Sequence, residues 1–247
     1  MRPLLKLLSV QIKLYLREPV AAFFTLAFAP MMLVLFATIY GNSPNPLFGG
    51  LGTVDVSVPA YLGLVIVTVG LISIPISVAA EREIGVFRRL RVTPFSPFLY
   101  LVSSVLTNYL MTLLGSLLLV LIGSLAYHMH FQGNVLNVFL AFTLGSLSFF
   151  SLGYLLAAVA PSSRFAMIVG MVLAYPMMFL SGASIPLEIL PSSLKEVIKF
   201  IPLTYVVTMM RGLWLGEPWG GHLLEVAVLA GMLVLGAILS VRFFRFE

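Results

Sequence analysis

Apolar residues along the chain come in long blocks, not in the alternation of a half-buried strand or the three-to-four spacing of a surface helix. Six blocks are long enough, as helices, to cross about 30 Å of hydrocarbon. They predict spans at about 20–40, 58–80, 98–127, 134–160, 165–183 and 222–241. The third and fourth exceed the bilayer's need, so tilt or protrusion is expected. The N-terminal stretch 1–19 has a different pattern. Arg2, Lys6, Ser9, Lys13 and Arg17 recur on one helical face, with Leu5, Leu8, Ile12 and Leu16 elsewhere around it. That predicts a helix lying in the membrane interface.

Proline punctuates the pattern at two levels. Pro30, Pro75 and Pro176 fall inside the first, second and fifth spans, where each removes a backbone hydrogen bond and predicts a kink. The segment 184–215 is apolar but broken by Pro186, Pro191 and Pro202. It predicts a short amphipathic helix over 192–200, capped by Ser192 or Ser193. An apolar piece at 203–215 follows, too short to cross. Such pieces suit re-entrant or interfacial helices.

Composition confirms the solvent. The chain is 60% hydrophobic and 9% charged, whereas an ordinary soluble domain carries about 25% charged residues. The fold class is all-α integral membrane, one unit over 1–247. The absence of cysteine excludes disulfides and thiolate metal sites. The net charge of +5 is explained by where Lys and Arg stand, so no nucleic-acid partner is expected. Eleven basic residues lie in the N-terminus, the 81–97 loop, the 161–164 turn and the C-terminus; Lys195, Lys199 and Arg211 are the remaining three. The positive-inside rule places both termini in the cytoplasm of a multi-pass protein of the cytoplasmic membrane, as an even span count requires. The apolar run after Pro19 outlasts a signal-peptide core, so a cleaved leader is not expected.

One stretch concentrates charge. "AEREIGVFRRLRVTP", residues 80–94, holds Glu81, Arg82, Glu83, Arg88, Arg89 and Arg91. Acids first and bases last complement a helix dipole. Ile84, Phe87 and Leu90 recur at i, i+3 and i+6, and Thr93-Pro94 ends the pattern. This predicts a short amphipathic helix over 81–91. By itself it reads as a topogenic loop or as a docking surface for a soluble partner; the acids and the apolar side exceed what topology needs.

The same stretch, read on as "EREIGVFRRLRVTPFSPFLYLVSSVL", resembles the segment after the second span in permease subunits of the ABC-2 transporter family. Glu81, Glu83, Gly85, Leu90, Thr93 and Pro94 fit, while Val86 stands where threonine is usual. "FLSGASIPLEILPSSLKEVIKFIPLTYVVTMMRG" resembles a second family pattern. Ser181, Gly182, Pro186, Leu187, Glu188, Pro191, Pro202, Leu203, Thr204, Tyr205 and Arg211 fit, and Ile201 replaces the usual asparagine. The resemblance, closest to drug- and antibiotic-export permeases, covers nearly the whole chain.

It implies a permease that dimerises with itself or a related permease amid membrane lipids. The 81–91 segment would be the coupling helix, contacting an ATP-binding subunit through Glu81, Arg82, Glu83, Ile84, Gly85, Phe87, Arg88, Arg89 and Leu90. It implies an extracytoplasmic re-entrant segment marked by Ser181, Gly182, Pro186, Glu188, Pro202, Tyr205 and Arg211. The first, second and fifth spans would line the path, with Pro30, Thr68, Ser73, Pro75, Ser77, Tyr175 and Pro176 as candidates. These groups, among aliphatic and Phe residues, suit an amphiphile such as a lipid or lipophilic drug.

No G-x-x-x-x-G-K-[ST] loop occurs, so no cofactor is expected on this chain, and ATP and Mg belong to the partner subunit. Intramembrane enzymes fare poorly. H-E-x-x-H is absent, and His128 and His130 suit a membrane edge better than a metal. A secondary transporter would want ionisable groups deep in its spans, and the mid-membrane stretches have none. Ala166, Gly170 and Ala174 form a small-residue strip for close helix packing, within one subunit or between two.

Overall fold

Without water to satisfy its backbone, a chain in hydrocarbon must close every hydrogen bond within its own helices. A computed structural model describes residues 2–91, 97–184 and 192–243. Among these residues every regular element is a helix, with no strand. Six helices are long and apolar enough to cross: Pro19–Tyr40, Thr53–Glu83, Leu99–Tyr127, Val135–Val159, Ser163–Leu180 and Trp219–Phe243. They match the six expected blocks. The N-terminal helix, Arg2–Arg17, precedes them. Short helices Ser192–Ile198 and Pro202–Trp214 fill the gap before the sixth span.

Six spans in alternation bring the two ends of the described chain to one face of the bundle, the termini face. That termini face also carries the turns after the second and fourth spans; the other is the far face. The second span is the hub. Of its most apolar stretch 89% is buried, against 22% for the fifth span and 17% for the sixth. Spans one, three, four and five and the Pro202–Trp214 helix surround it. The sixth span lies along the fourth, where Ser148 Oγ donates to the Leu229 carbonyl at 2.8 Å and Ser151 Oγ to the Met232 carbonyl at 3.3 Å. Buried hydroxyls thus tie helices that gain little from water exclusion in lipid.

Of Pro30, Pro75 and Pro176, the first two follow a π-helical turn. A π-helical turn, Phe23–Ala27, comes just before Pro30, and another, Thr68–Ser73, just before Pro75. Proline has no N–H for the carbonyl four residues back and its ring crowds that carbonyl. Widening to i→i+5 bonding relieves both without breaking the helix; Ile74 N–H accordingly meets the Val69 carbonyl. Pro176 sits inside the fifth span, which stays α-helical through it. The second span also contains Pro59.

Two close approaches seat the hub. A Cβ on Gly153 would collide with the Gly70 carbonyl, and one on Gly170 with the Leu71 carbonyl. The fourth and fifth spans therefore press their backbones against the second span's π turn. Ala166, Gly170 and Ala174 are all buried within the chain, Ala166 beside Ala79 and Ala160, so the small-residue strip belongs to the subunit's own core.

Candidate functional site

The charged stretch folds as a knuckle rather than one helix. The second span runs on to Glu83, Gly85 takes φ of +72°, and a separate helix spans Val86–Arg91. Glycine tolerates that left-handed backbone and so ends the span. The single helix expected over 81–91 is thereby corrected to two.

Its first half is engaged within the chain. Arg82 Nη1 donates to the carbonyls of Ala157 at 3.1 Å and Ala158 at 3.4 Å, and Nη2 donates to that of Ala160. These carbonyls end the fourth span, where a cation complements the dipole. The Glu83 carboxylate accepts from Ser163 N at 2.9 Å and Ser163 Oγ at 2.7 Å, capping the start of the fifth span. Glu81 turns into a polar cavity beneath the N-terminal helix. Arg82 and Glu83 thus act as helix caps within the chain, and Glu83 remains exposed.

The second half divides by direction. Phe87 is buried and meets Tyr100 edge-on, centroids 5.2 Å apart, within a cluster that includes Ile74, Phe150 and Tyr154. The expectation that Phe87 fills a partner's groove is corrected: its ring anchors the short helix to its own subunit. Ile84, Arg88 and Arg89 are exposed. The side chain of Leu90, and Thr93 and Pro94, lie outside the described residues.

The candidate path residues are not brought together. Pro30, Thr68, Ser73 and Pro75 are buried and Ser77 is half-buried; Thr68 Oγ1 donates to the Val65 carbonyl and Ser77 Oγ to the Ile74 carbonyl. Tyr175 and Pro176 face outward on the fifth span. Far-face motif residues organise helix ends. Ser181 Oγ accepts from Ala183 N at 3.2 Å, Gly182 takes φ of +86°, and Pro202 starts its helix. Tyr205 Oη donates to the Lys199 carbonyl at 2.7 Å, and Arg211 is half-buried in the same helix. Pro186, Leu187, Glu188 and Pro191 lie outside the described residues.

Sequence reasoning missed two far-face polar knots. In the first turn of the second span, Asp55 Oδ1 accepts from Asn42 Nδ2 at 3.3 Å and His130 N at 2.8 Å, while Oδ2 accepts from Gly52 N at 3.2 Å and lies 3.4 Å from His130 Nδ1. An acid three residues into a helix after a glycine was the available signal. His222 is buried, with Nε2 3.1 Å from Glu217 and Nδ1 3.7 Å from Glu225. No group of three or more His, Asp or Glu side chains among the described residues could hold a metal. An apolar cavity of about 370 Å³ opens between the third and fourth spans, walled by Leu113, Leu117, Val138, Phe139, Phe142 and Trp214.

A family model described as ABC-2 type transporter matches residues 4–215. Nodulation protein J of Rhizobium leguminosarum bv. viciae is 32% identical over 99 residues, 40% of this chain and 38% of that protein. A protein of Escherichia coli K12 named a probable multidrug ABC transporter permease, YbhR, is 24% identical over 161 residues, 65% of this chain and 44% of its own. The chain thus matches less than half the length of these relatives.

Proposed function

Because the chain belongs to the ABC-2 type transporter family, we propose that it is the membrane-embedded permease of an ATP-driven exporter, paired with a second permease copy and served by separate ATP-binding subunits. The observation that carries this reading is the knuckle. A short helix presents Arg88 and Arg89 outward and is anchored inward by Phe87. The adjoining Arg82 and Glu83 hold the ends of the fourth and fifth spans. A load applied at Val86–Arg91 would reach three spans through these contacts. The concentration of basic residues around it supports a cytoplasmic position for this face and both termini. ATP and Mg would bind the partner subunit.

Cargo would be amphiphilic and move along the contact between two permeases. Tyr175 and Pro176 already face outward there. The buried Thr68, Ser73 and Pro75 would join the path through movement at the π turn that contains or adjoins them. The helices Ser192–Ile198 and Pro202–Trp214 would form the re-entrant segment on the far side. The apolar cavity between the third and fourth spans supports a lipid-like cargo or lubricating lipid over an ion.

The test is direct. An ATPase carrying a G-x-x-x-x-G-K-[ST] loop should copurify with the tagged chain. Reversing both exposed arginines, Arg88→Glu with Arg89→Glu, should weaken that complex by on the order of tenfold, as expected for rim charges, with the chain still inserted. A complex unchanged by the double reversal would remove the knuckle from the interface.

A further inference from the structure

A second cavity, of about 280 Å³, lies on the termini face between the N-terminal helix and the ends of the second and third spans. Its hydroxyl groups are already committed. Tyr15 Oη shares a 2.5 Å hydrogen bond with Thr25, and Ser104 Oγ a 2.7 Å bond with Tyr154. Ser77 donates to the Ile74 carbonyl, and Thr107 to Gln11 Oε1. Three acceptors remain. Glu81 Oε2 and Asn108 Oδ1 are buried with no hydrogen-bond partner; Asn108 is only 5% exposed, and its Nδ2 donates to the Ser104 carbonyl at 2.9 Å. The half-buried Glu18 carboxylate faces Glu81 as a like charge. Neither acid pairs with a cation among the described residues, and the adjacent Arg82 is turned away to the fourth span.

A buried acceptor without a donor is costly, and a charged one more so. A single proton held between the two carboxyls would supply one donor and no positive charge; a ligand that completes the cavity would bring positive charge and N–H donors together. A divalent metal would need a fuller cage of oxygen ligands, and no metal-holding group occurs among the described residues. A quaternary ammonium brings charge but no donor. A primary ammonium carries three donors on one point charge, enough for Glu81, Asn108 and Glu18 at once. We infer that the cavity formed by Glu18, Glu81 and Asn108 is a binding site for a primary ammonium group on a short stem. Its rim carries exposed Leu14 and Ile84, and its roof is an amphipathic helix suited to headgroup depth. The ammonium could therefore arrive on an ethanolamine phospholipid or on a free amine.

The experiment uses the full chain, purified without any ATP-binding subunit, so its outcome is independent of the export reading. The protein is placed in nanodiscs of equal ethanolamine and choline phospholipid, and retained lipid is counted by native mass spectrometry. In parallel, free ethanolamine and choline are titrated while thermal unfolding is followed. The variants are Glu81→Gln, Asn108→Ala and the less buried Glu18→Gln, the last guarding against a variant that does not fold. Loss of one charged hydrogen bond should weaken binding on the order of tenfold. Selective retention of ethanolamine phospholipid, diminished in the variants, identifies a lipid source. Stabilisation by free ethanolamine but not choline, again diminished in the variants, identifies a soluble one. Equal retention of both lipids with no amine-specific stabilisation overturns the site. So does a preference that survives in all three variants.

Discussion

Arg82 and Glu83 are neighbours in sequence, yet one holds the end of the fourth span and the other the start of the fifth. Each meets the helix end whose partial charge it complements. Arg82→Ala would strip three carbonyls of their donor, costing about 1–2 kcal/mol for hydrogen bonds to a charged group near the surface. The melting temperature of the purified chain should fall measurably, while Arg88→Ala, an exposed side chain, should leave it unchanged. Equal melting temperatures would mean that water replaces the caps at no loss. The sequence made this stretch conspicuous, because charge is scarce elsewhere. It did not reveal which charges turn inward, since a cap depends on helices some 75 to 80 residues away. Gly85, placed where a helix-ending glycine belongs, was the clue to the break.

At the scale of elements, the second span's π turn and the glycines facing it form one packing unit. Filling such a contact forces backbone shifts that cost about 1–3 kcal/mol. Gly170→Leu should lower the melting temperature accordingly. Gly231→Leu is the control, because a Cβ there meets nothing within 4 Å. Equal effects of the two would show that the fifth span does not seat on the Leu71 carbonyl. The positions of all six spans were legible within a few residues, because hydropathy and length act locally. The π turns were not: proline announced a disturbance but not the form of its relief. Nor was the destination of the Ala166-Gly170-Ala174 strip, since lipid-facing and core-facing sides of a span are both apolar.

For the whole molecule, the outward faces matter. With Ala166, Gly170 and Ala174 turned inward, the fifth span exposes Phe165, Ile168, Val172, Tyr175 and Phe179. If two copies meet along this span, single cysteines at Ile168 and Val172 should crosslink between copies, and cysteines at Ala166 or Ala174 should not. The chain's lack of native cysteine makes the result easy to read. Crosslinks confined to the sixth span's exposed Val234, Leu235 and Ile238 would move the contact there.

The paired caps have a geometric consequence. Successive helical residues differ by about 100° in direction and 1.5 Å in height. A one-residue slip of the second span would swing Arg82 and Glu83 off their targets together. The contact is therefore indexed like a key with two teeth: both engage or neither does. At the termini face, the second, fourth and fifth spans can translate or tilt as one block, but they cannot ratchet past one another while the caps hold.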